Sequence, residues 1–322
     1  MHALIPVTLA GLRSDQALAR VFPQYSRTTL KSWILAGRVR IDGRSVRPRE
    51  AIRGGEAVEL TPLPPSATLS IIGREQPEAI AIEVIHDDPE ILVVNKVAGL
   101  VVHPGAGNRD GTMLNALLHL DPDLAKLPRA GIVHRLDKDT SGLLVIARSP
   151  RAHQSLVAQL KAHRITREYQ GIVSGAMVAG GSVEAAVGRH PVHRTHMAVV
   201  ERGGKPALTH YRVIRRFRLH TRVRIILETG RTHQIRVHMA HVHYPLVGDP
   251  VYGGRVRLPR RALPALAQAL RAFPRQALHA ARLALEHPTT GVMLSFTAPL
   301  PADMAALIGL LAEDTARAGA GR

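Results

Sequence analysis

GIVHRLDKDTSGLLVIARS, residues 131–149, sets a polar knot between two apolar runs. Asp137 and Asp139 lie inside the knot, and a basic pair, His134 and Arg135, precedes them. LLVIA (143–147) is a short continuous apolar run bounded by turn residues, the pattern of a buried strand. Ser149-Pro150 then opens a helix bearing Ala152, Leu156, Val157 and Leu160. An isolated aspartate in such a place is most often a turn or cap residue. Three features point instead to a reaction centre. The flanking apolar segments put the loop at a core edge. The cations at 134 and 135 favour an ionised carboxylate. GRTHQIR (230–236) brings two more guanidiniums to a strand-to-helix junction, a natural anion site. An ionised, fixed carboxylate suits nucleophilic attack better than proton donation. The residues alone leave Asp137 and Asp139 as rivals for that role.

Outward from this stretch the chain reads as two domains. Residues 1–62 form a small α/β module. Ser14 is placed to cap a helix with Ala17, Leu18, Val21 and Phe22 on one side. Ser26 is placed to cap a second helix that buries Leu30, Trp33 and Ile34 and stops at Gly37. Arg27 and Lys31 share a face of it. Asp42-Gly43 is a hairpin turn, and EAVEL closes the module as a strand. TPLPPSA (61–67) is proline-rich, and residues 63–80 read as a linker. A domain over 81–302 opens with a hairpin, AIEVIH and ILVVN about the turn DDPE. Tyr169 begins a further strand, RVRIILE (222–228) is another, and HQIRVHMAHV has helical spacing after Gly230. Residues 303–322 read as a C-terminal helix with a frayed tail. Strands and helices do not alternate regularly, so the fold class is α+β with a mixed sheet, not a doubly wound one.

Composition narrows the function. Of 322 residues, 45% are apolar, enough for a sizeable core, but only 3% are aromatic, so aliphatic side chains must fill it. Lys and Arg total 43 against 25 acids, a net +18, which points to a polyanionic partner. The first 62 residues alone carry 10 basic and 5 acidic groups. The absence of cysteine excludes disulfides, thiolate nucleophiles and cysteine-based metal sites. No signal peptide or membrane span is evident, so a cytoplasmic protein is expected.

Other motifs fail on spacing. HPGAGNRDG (103–111) misses G-x-G-x-x-G, and no helix-opening pattern follows closely enough for a dinucleotide site; His103 and Asn108 remain free to face a substrate. No P-loop is present. DTSG (139–142) has the wrong order for an aspartic protease and no second copy. His233, His238, His241 and His243 lack zinc-ligand spacing.

GIVHRLDKDTSGLLVIA resembles the signature segment of the RluA-type pseudouridine synthases. ILVVNKVAGLVVHPGAGNRDGTMLNAL, ITREYQGIV, HRTHMAV, GKPALTHYRV and LETGRTHQIRVHMAHVHYPLVGDPVYGG continue the likeness over about 80–300. SRTTLKSWILAGRVRIDGRSV resembles the S4 RNA-binding domain. Val97 stands where the family usually has proline, and Ser14 where S4 modules usually have leucine.

The resemblance implies a pseudouridine synthase fold, a mixed and mostly antiparallel sheet flanked by helices and loops. It implies isomerisation of uridine without metal or other cofactor. In it Asp137 is the catalytic aspartate, Arg236 its partner, and Tyr169 stacks on the flipped base and assists proton removal from C5. Arg135 fills the space left by the extruded nucleotide, Ile235 forms an apolar wall, and Arg231 contacts phosphate. Arg27, Lys31 and Arg38 of the S4-like module contact RNA backbone. The expected partner is large-subunit ribosomal RNA or a pre-50S particle, at the intersubunit-bridge stem-loop, with the enzyme a monomer. Alternatives are the same chemistry at other rRNA or tRNA uridines, a ribosome-assembly protein without chemistry, and a hydrolytic nucleosidase.

Overall fold

The computed structural model of the chain describes residues 1–25, 27–62, 75–105, 107–193 and 195–320 and divides into two units, 1–76 and 77–322. The first unit contains β1 (His2–Leu4), α1 (Ser14–Val21), α2 (Arg27–Leu35), β2 (Val39–Ile41), β3 (Arg44–Ser45) and β4 (Ala57–Leu60). Its sheet runs β1-β4-β2-β3, antiparallel throughout. Alternation along β2 and β4 turns Val39, Ile41, Val58 and Leu60 inward against Leu18, Leu30, Trp33 and Ile34. Asp42 and Gly43 both take positive φ (48° and 75°), the conformation of a two-residue primed hairpin turn. The expected cap at Ser14 is corrected: Arg13 holds the cap position, and Ser14 is already helical and donates its hydroxyl to the carbonyl of Arg47 at 2.6 Å. The expected cap Ser26 and most of the expected linker, 63–74, lie outside the described residues.

The second unit is built on β5 (Glu83–Asp87), β6 (Ile91–Lys96), α3 (Met113–Leu120), β7 (Ser141–Ala147), α4 (Pro150–Lys161) and β8 (Thr166–Ser174). It continues through β9 (Gly181–Glu184), β10 (Val187–Arg189), β11 (Met197–Val199), β12 (Leu208–Arg216), β13 (His220–Leu227) and α5 (Gln234–His241). It ends with α6 (Pro264–Ala272), β14 (Leu278–Glu286), β15 (Met293–Thr297) and α7 (Ala302–Ala320). The main sheet runs β5-β6-β7-β14-β8-β13-β12-β9, with β15 also on β14. Only β7 and β14 pair in parallel among its described strands. The fold is therefore α+β with a mixed, mostly antiparallel sheet.

Both faces of the sheet are covered, so β7 is buried along its whole length. Leu92, Val94, Leu144 and Ile146 pack on one face with Leu114 and Leu117 of α3. Ile91, Val93, Leu143 and Val145 pack on the other with Ala152 and Leu156 of α4. Leu266 and Leu270 of α6 join Met304, Leu307 and Leu311 of α7 in a third cluster.

Three further readings are revised. The strand carrying Tyr169 starts at Thr166, so Tyr169 sits mid-strand. A helix does open just after HPGAGNRDG: Thr112 and Asn115 form a reciprocal capping box for α3. The tail is not frayed through 312–320; α7 continues to Ala320, with Asp314 buried and bonded to Arg218 and to the Leu263 N–H.

Candidate active site

Asp137 lies in the loop that feeds β7, and the strand fixes where the loop ends. Gly142 has φ 114°, and a Cβ there would fall 2.3 Å from the Ala280 carbonyl oxygen. Only glycine lets β7 lie this close to β14. The loop backbone is held from two sides. Lys96, 1% exposed at the end of β6, donates its Nζ protons to the carbonyls of Val97 (2.8 Å), Leu100 (2.9 Å) and Lys138 (2.8 Å). Burial pulls this ammonium down to about 7, against the pull of Asp139 and Asp137 in the other direction. Arg275 forks onto Asp303 through Nε and Nη2, and its Nη1 donates to the Asp139 carbonyl at 3.1 Å. Gln276 bonds the Thr140 hydroxyl at 3.1 Å.

Arg236, on α5, supplies the charge that meets the loop. Its Nη1 lies 3.4 Å from Asp137 Oδ2. Its Nε and Nη2 form a tighter fork on Asp249, at 2.7 and 2.8 Å. Burial works to raise the Asp249 carboxyl, but Arg236 and the backbone N–H groups of Tyr252 and Val251 outweigh it and hold the group below its usual range. Arg236 is thus anchored by Asp249 and presents its free edge to Asp137. Asp137 keeps 16% of its side chain exposed, whereas Asp249 keeps none.

Tyr169 and Ile235 belong to one apolar cluster with Leu136, Leu278 and Ala280. Burial pushes the Tyr169 phenol up to about 12; Arg167 opposes this and Asp137 adds to it. The ring is therefore an uncharged face beside the carboxylate. His233 brings Nε2 to 4.0 Å from Asp137 Oδ1, and Tyr252 bonds His233 Nδ1 at 2.9 Å.

The basic pair at 134–135 needs correction. His134 is not a cation beside the acids: burial pulls its imidazole to about 3, and its Nε2 accepts the Val145 N–H at 3.1 Å. Arg135 is exposed at the surface. Arg231 is tied by Nε to the Pro206 carbonyl at 3.1 Å, so of the two guanidiniums of GRTHQIR only Arg236 pairs with Asp137. In the first unit, Arg27 forks onto Asp15 at 3.0 and 2.8 Å, Lys31 is exposed and Arg38 half-buried. His238 is a packing residue, bonded to the Thr209 hydroxyl and the Ala185 carbonyl. Among the described residues no cluster of three His, Asp or Glu is arranged to hold a metal.

A family model described as RNA pseudouridylate synthase matches residues 90–241, and one described as S4 domain matches 13–58. A Pseudomonas aeruginosa protein, ribosomal large subunit pseudouridine synthase D, is 53% identical over 97% of this chain and 96% of its own. The protein of that name from Escherichia coli (strain K12) is 52% identical over 98% and 95%, and that from Xanthomonas campestris 50% over 98% and 94%. This chain belongs to the RluA-type RNA pseudouridine synthases. The solved structure of human RNA pseudouridylate synthase domain containing 1 matches with TM-score 0.53 and 26% identity, covering 70% of this chain and 86% of that one. A second human structure, RNA pseudouridylate synthase domain containing 4, shares the fold at TM-score 0.56 and 22% identity. The loop before β7, α5 and β8 bring the Asp137 carboxylate, the Arg236 guanidinium and the uncharged Tyr169 phenol into one electrostatic neighbourhood. Sequence reasoning missed Lys96, Asp249, Tyr252, His233 and Arg275 as parts of it. The first four stand in quoted segments, Lys96 in ILVVNKVAGL and the others in LETGRTHQIRVHMAHVHYPLVGDPVYGG, but no spacing rule joins them to Asp137.

Proposed function

We propose that this synthase isomerises uridine to pseudouridine in large-subunit ribosomal RNA, with Asp137 as the catalytic carboxylate. The observation that carries the reading is the Asp137–Arg236 pair at 3.4 Å on a partly exposed loop, close enough to the buried Tyr169 for the carboxylate to act on its phenol. Asp139 is the weaker rival, because the Arg236 guanidinium pairs with Asp137. The ribosomal substrate draws on the names of relatives that match nearly the whole chain. We further propose the intersubunit-bridge stem-loop, in a pre-50S particle or its RNA, and a monomeric cytoplasmic enzyme. Among the described residues no helix is long and apolar enough to cross a membrane.

In this reading the target nucleotide leaves the stack, at a cost of a few kcal/mol. Arg135, exposed at the rim, fills the space it vacates, and Tyr169 stacks on the base. Ile235 closes the apolar wall, and Arg231 and the Arg27, Lys31 and Arg38 face of the first unit contact backbone phosphates. The N1–C1′ bond breaks, the base turns, C5 joins C1′, and the proton lost from C5 is balanced by one taken up at N1. Arg236 compensates the Asp137 carboxylate at 3.4 Å, because an unpaired charge in such a pocket is costly. The test is tritium release from 5-tritiated uridine in ribosomal RNA, with mapping of the product. Asp137→Asn abolishes release and Asp139→Asn retains much of it; the reverse result overturns the assignment. Free uracil as product would mean hydrolysis instead.

A further inference from the structure

The loop after Asp249 places one more pair of side chains against Asp137. Tyr252 Oη accepts the Met197 N–H at 2.9 Å and lies 2.9 Å from His233 Nδ1. The other ring nitrogen, Nε2, faces Asp137 Oδ1 at 4.0 Å. Two neutral arrangements satisfy the Tyr252 contact. In one, Nδ1–H donates to the phenol and Nε2 turns a lone pair toward the carboxylate, so two electron-rich groups face each other. In the other, the phenol donates to Nδ1 and Nε2 carries its proton toward the carboxylate. Electrostatics selects the second.

We infer that His233 is a positioning residue for Asp137, held with its proton on Nε2 and aimed at Oδ1, and that the Tyr252 hydroxyl selects this tautomer. The inference deepens the role proposed for Asp137 and rests on it. The phenol is itself held. The Arg236 guanidinium lies 5.0 Å from its ring centroid, and the His233 and His196 rings meet it edge-on at 5.8 and 6.2 Å. His233 adopts a left-handed backbone (φ 57°) at the start of α5, a conformation rarely taken by a non-glycine residue unless its surroundings impose it. Burial lowers its imidazole; Asp137 and Asp249 pull the other way, while Arg236 and Arg135 reinforce the lowering, so the ring is neutral near pH 7. The two oxygens of Asp137 then face different donors: a guanidinium 3.4 Å from Oδ2 and a neutral imidazole N–H 4.0 Å from Oδ1. The second contact shortens when a nucleotide closes the pocket, as catalytic hydrogen bonds do on binding. It orients the carboxylate without adding positive charge.

Ring-nitrogen NMR of the full-length protein labelled with 15N-histidine tests this. There are 18 histidines, so His233→Gln assigns the signal by its loss. At pH 7.5 the His233 pattern is that of the Nε2–H tautomer. In Tyr252→Phe it becomes a mixture of tautomers and its titration midpoint rises, because the phenol no longer opposes a second proton on Nδ1. The same variant isomerises RNA about three- to tenfold more slowly in single turnover, the worth of one neutral hydrogen bond, with RNA affinity unchanged. An Nδ1–H pattern in the unaltered protein overturns the inference whether or not Tyr252→Phe folds. So does a Tyr252→Phe pattern that matches it. The expected tautomer in a protein that makes no pseudouridine would sink the proposed function and leave only the tautomer and its selection by Tyr252 standing.

Discussion

Lys96 donates a hydrogen bond at 2.8 Å to the carbonyl of Lys138, the residue that follows Asp137. The ammonium never reaches the carboxylate, yet it sets the backbone on which the carboxylate is carried. Lys96→Met keeps the length and loses the donors, so the part-buried carbonyls of Val97, Leu100 and Lys138 lose their partner. Each orphaned buried group costs about 1–3 kcal/mol. Urea denaturation should show a loss of that order, and single-turnover isomerisation should slow as the loop loosens. A variant as stable and as fast as the parent would remove Lys96 from the account.

Asp249 holds Arg236 more tightly than Asp137 does, and Asp249→Asn tests which partner anchors the guanidinium. Taking one charge from a buried pair typically costs about 3–5 kcal/mol, because the other is left uncompensated. We expect a loss approaching that size and a fall in turnover comparable to that of Arg236→Met. In the double variant the two effects should not add, since both act on one network. Additive losses would mean that Asp249 serves the fold independently of Arg236.

Tyr169 separates stacking from proton chemistry. With its phenol near 12, the ring meets the base uncharged across the neutral range. Tyr169→Phe keeps the stacking face, so RNA affinity should be retained while the step that frees the C5 proton slows. Tyr169→Ala removes the face and should weaken binding of the flipped base by about 1–3 kcal/mol. Equal affinities for the two variants in a filter-binding series would remove the ring from the stacking role.

Local patterns revealed the parts of this protein that depend on local chemistry. The run LLVIA, the Ser149-Pro150 helix start and the Asp42-Gly43 turn each carry their signal within a few residues, and each stands where its pattern places it. The α+β class followed from the irregular order of such signals. The site was legible only in part. Asp137, Tyr169, Ile235 and Arg236 come together because β8, β14 and β7 are neighbours in the sheet, a relation between strands far apart in sequence. The anchor Asp249 and the pin Lys96 act on atoms 13 and 42 residues away, which no periodicity encodes. His134 misled for the opposite reason: beside Arg135 it reads as a cation, and only burial makes it a neutral acceptor. The helix at Met113 was hidden because its capping box uses asparagine, not glutamate or glutamine, at the third position.

That neutral His134 has a consequence for stability on acidification. Its folded-state value, about 3, lies well below the 6.5 of an unperturbed histidine. Between these limits the unfolded chain binds a proton that the folded chain refuses. The unfolded state is therefore favoured as pH falls, by up to about 1.4 kcal/mol per pH unit for this one group. Above pH 6.5 both states leave it neutral and the effect vanishes. His134→Gln keeps an acceptor for the Val145 N–H and cannot titrate. Its stability relative to the parent should be flat above pH 6.5 and should rise steadily as the pH is lowered to 4. Urea midpoints taken at half-unit steps would show this as two curves that converge or cross in acid. Parallel curves would mean that the folded protein takes up the His134 proton as readily as the unfolded chain does, and burial would no longer account for its neutrality.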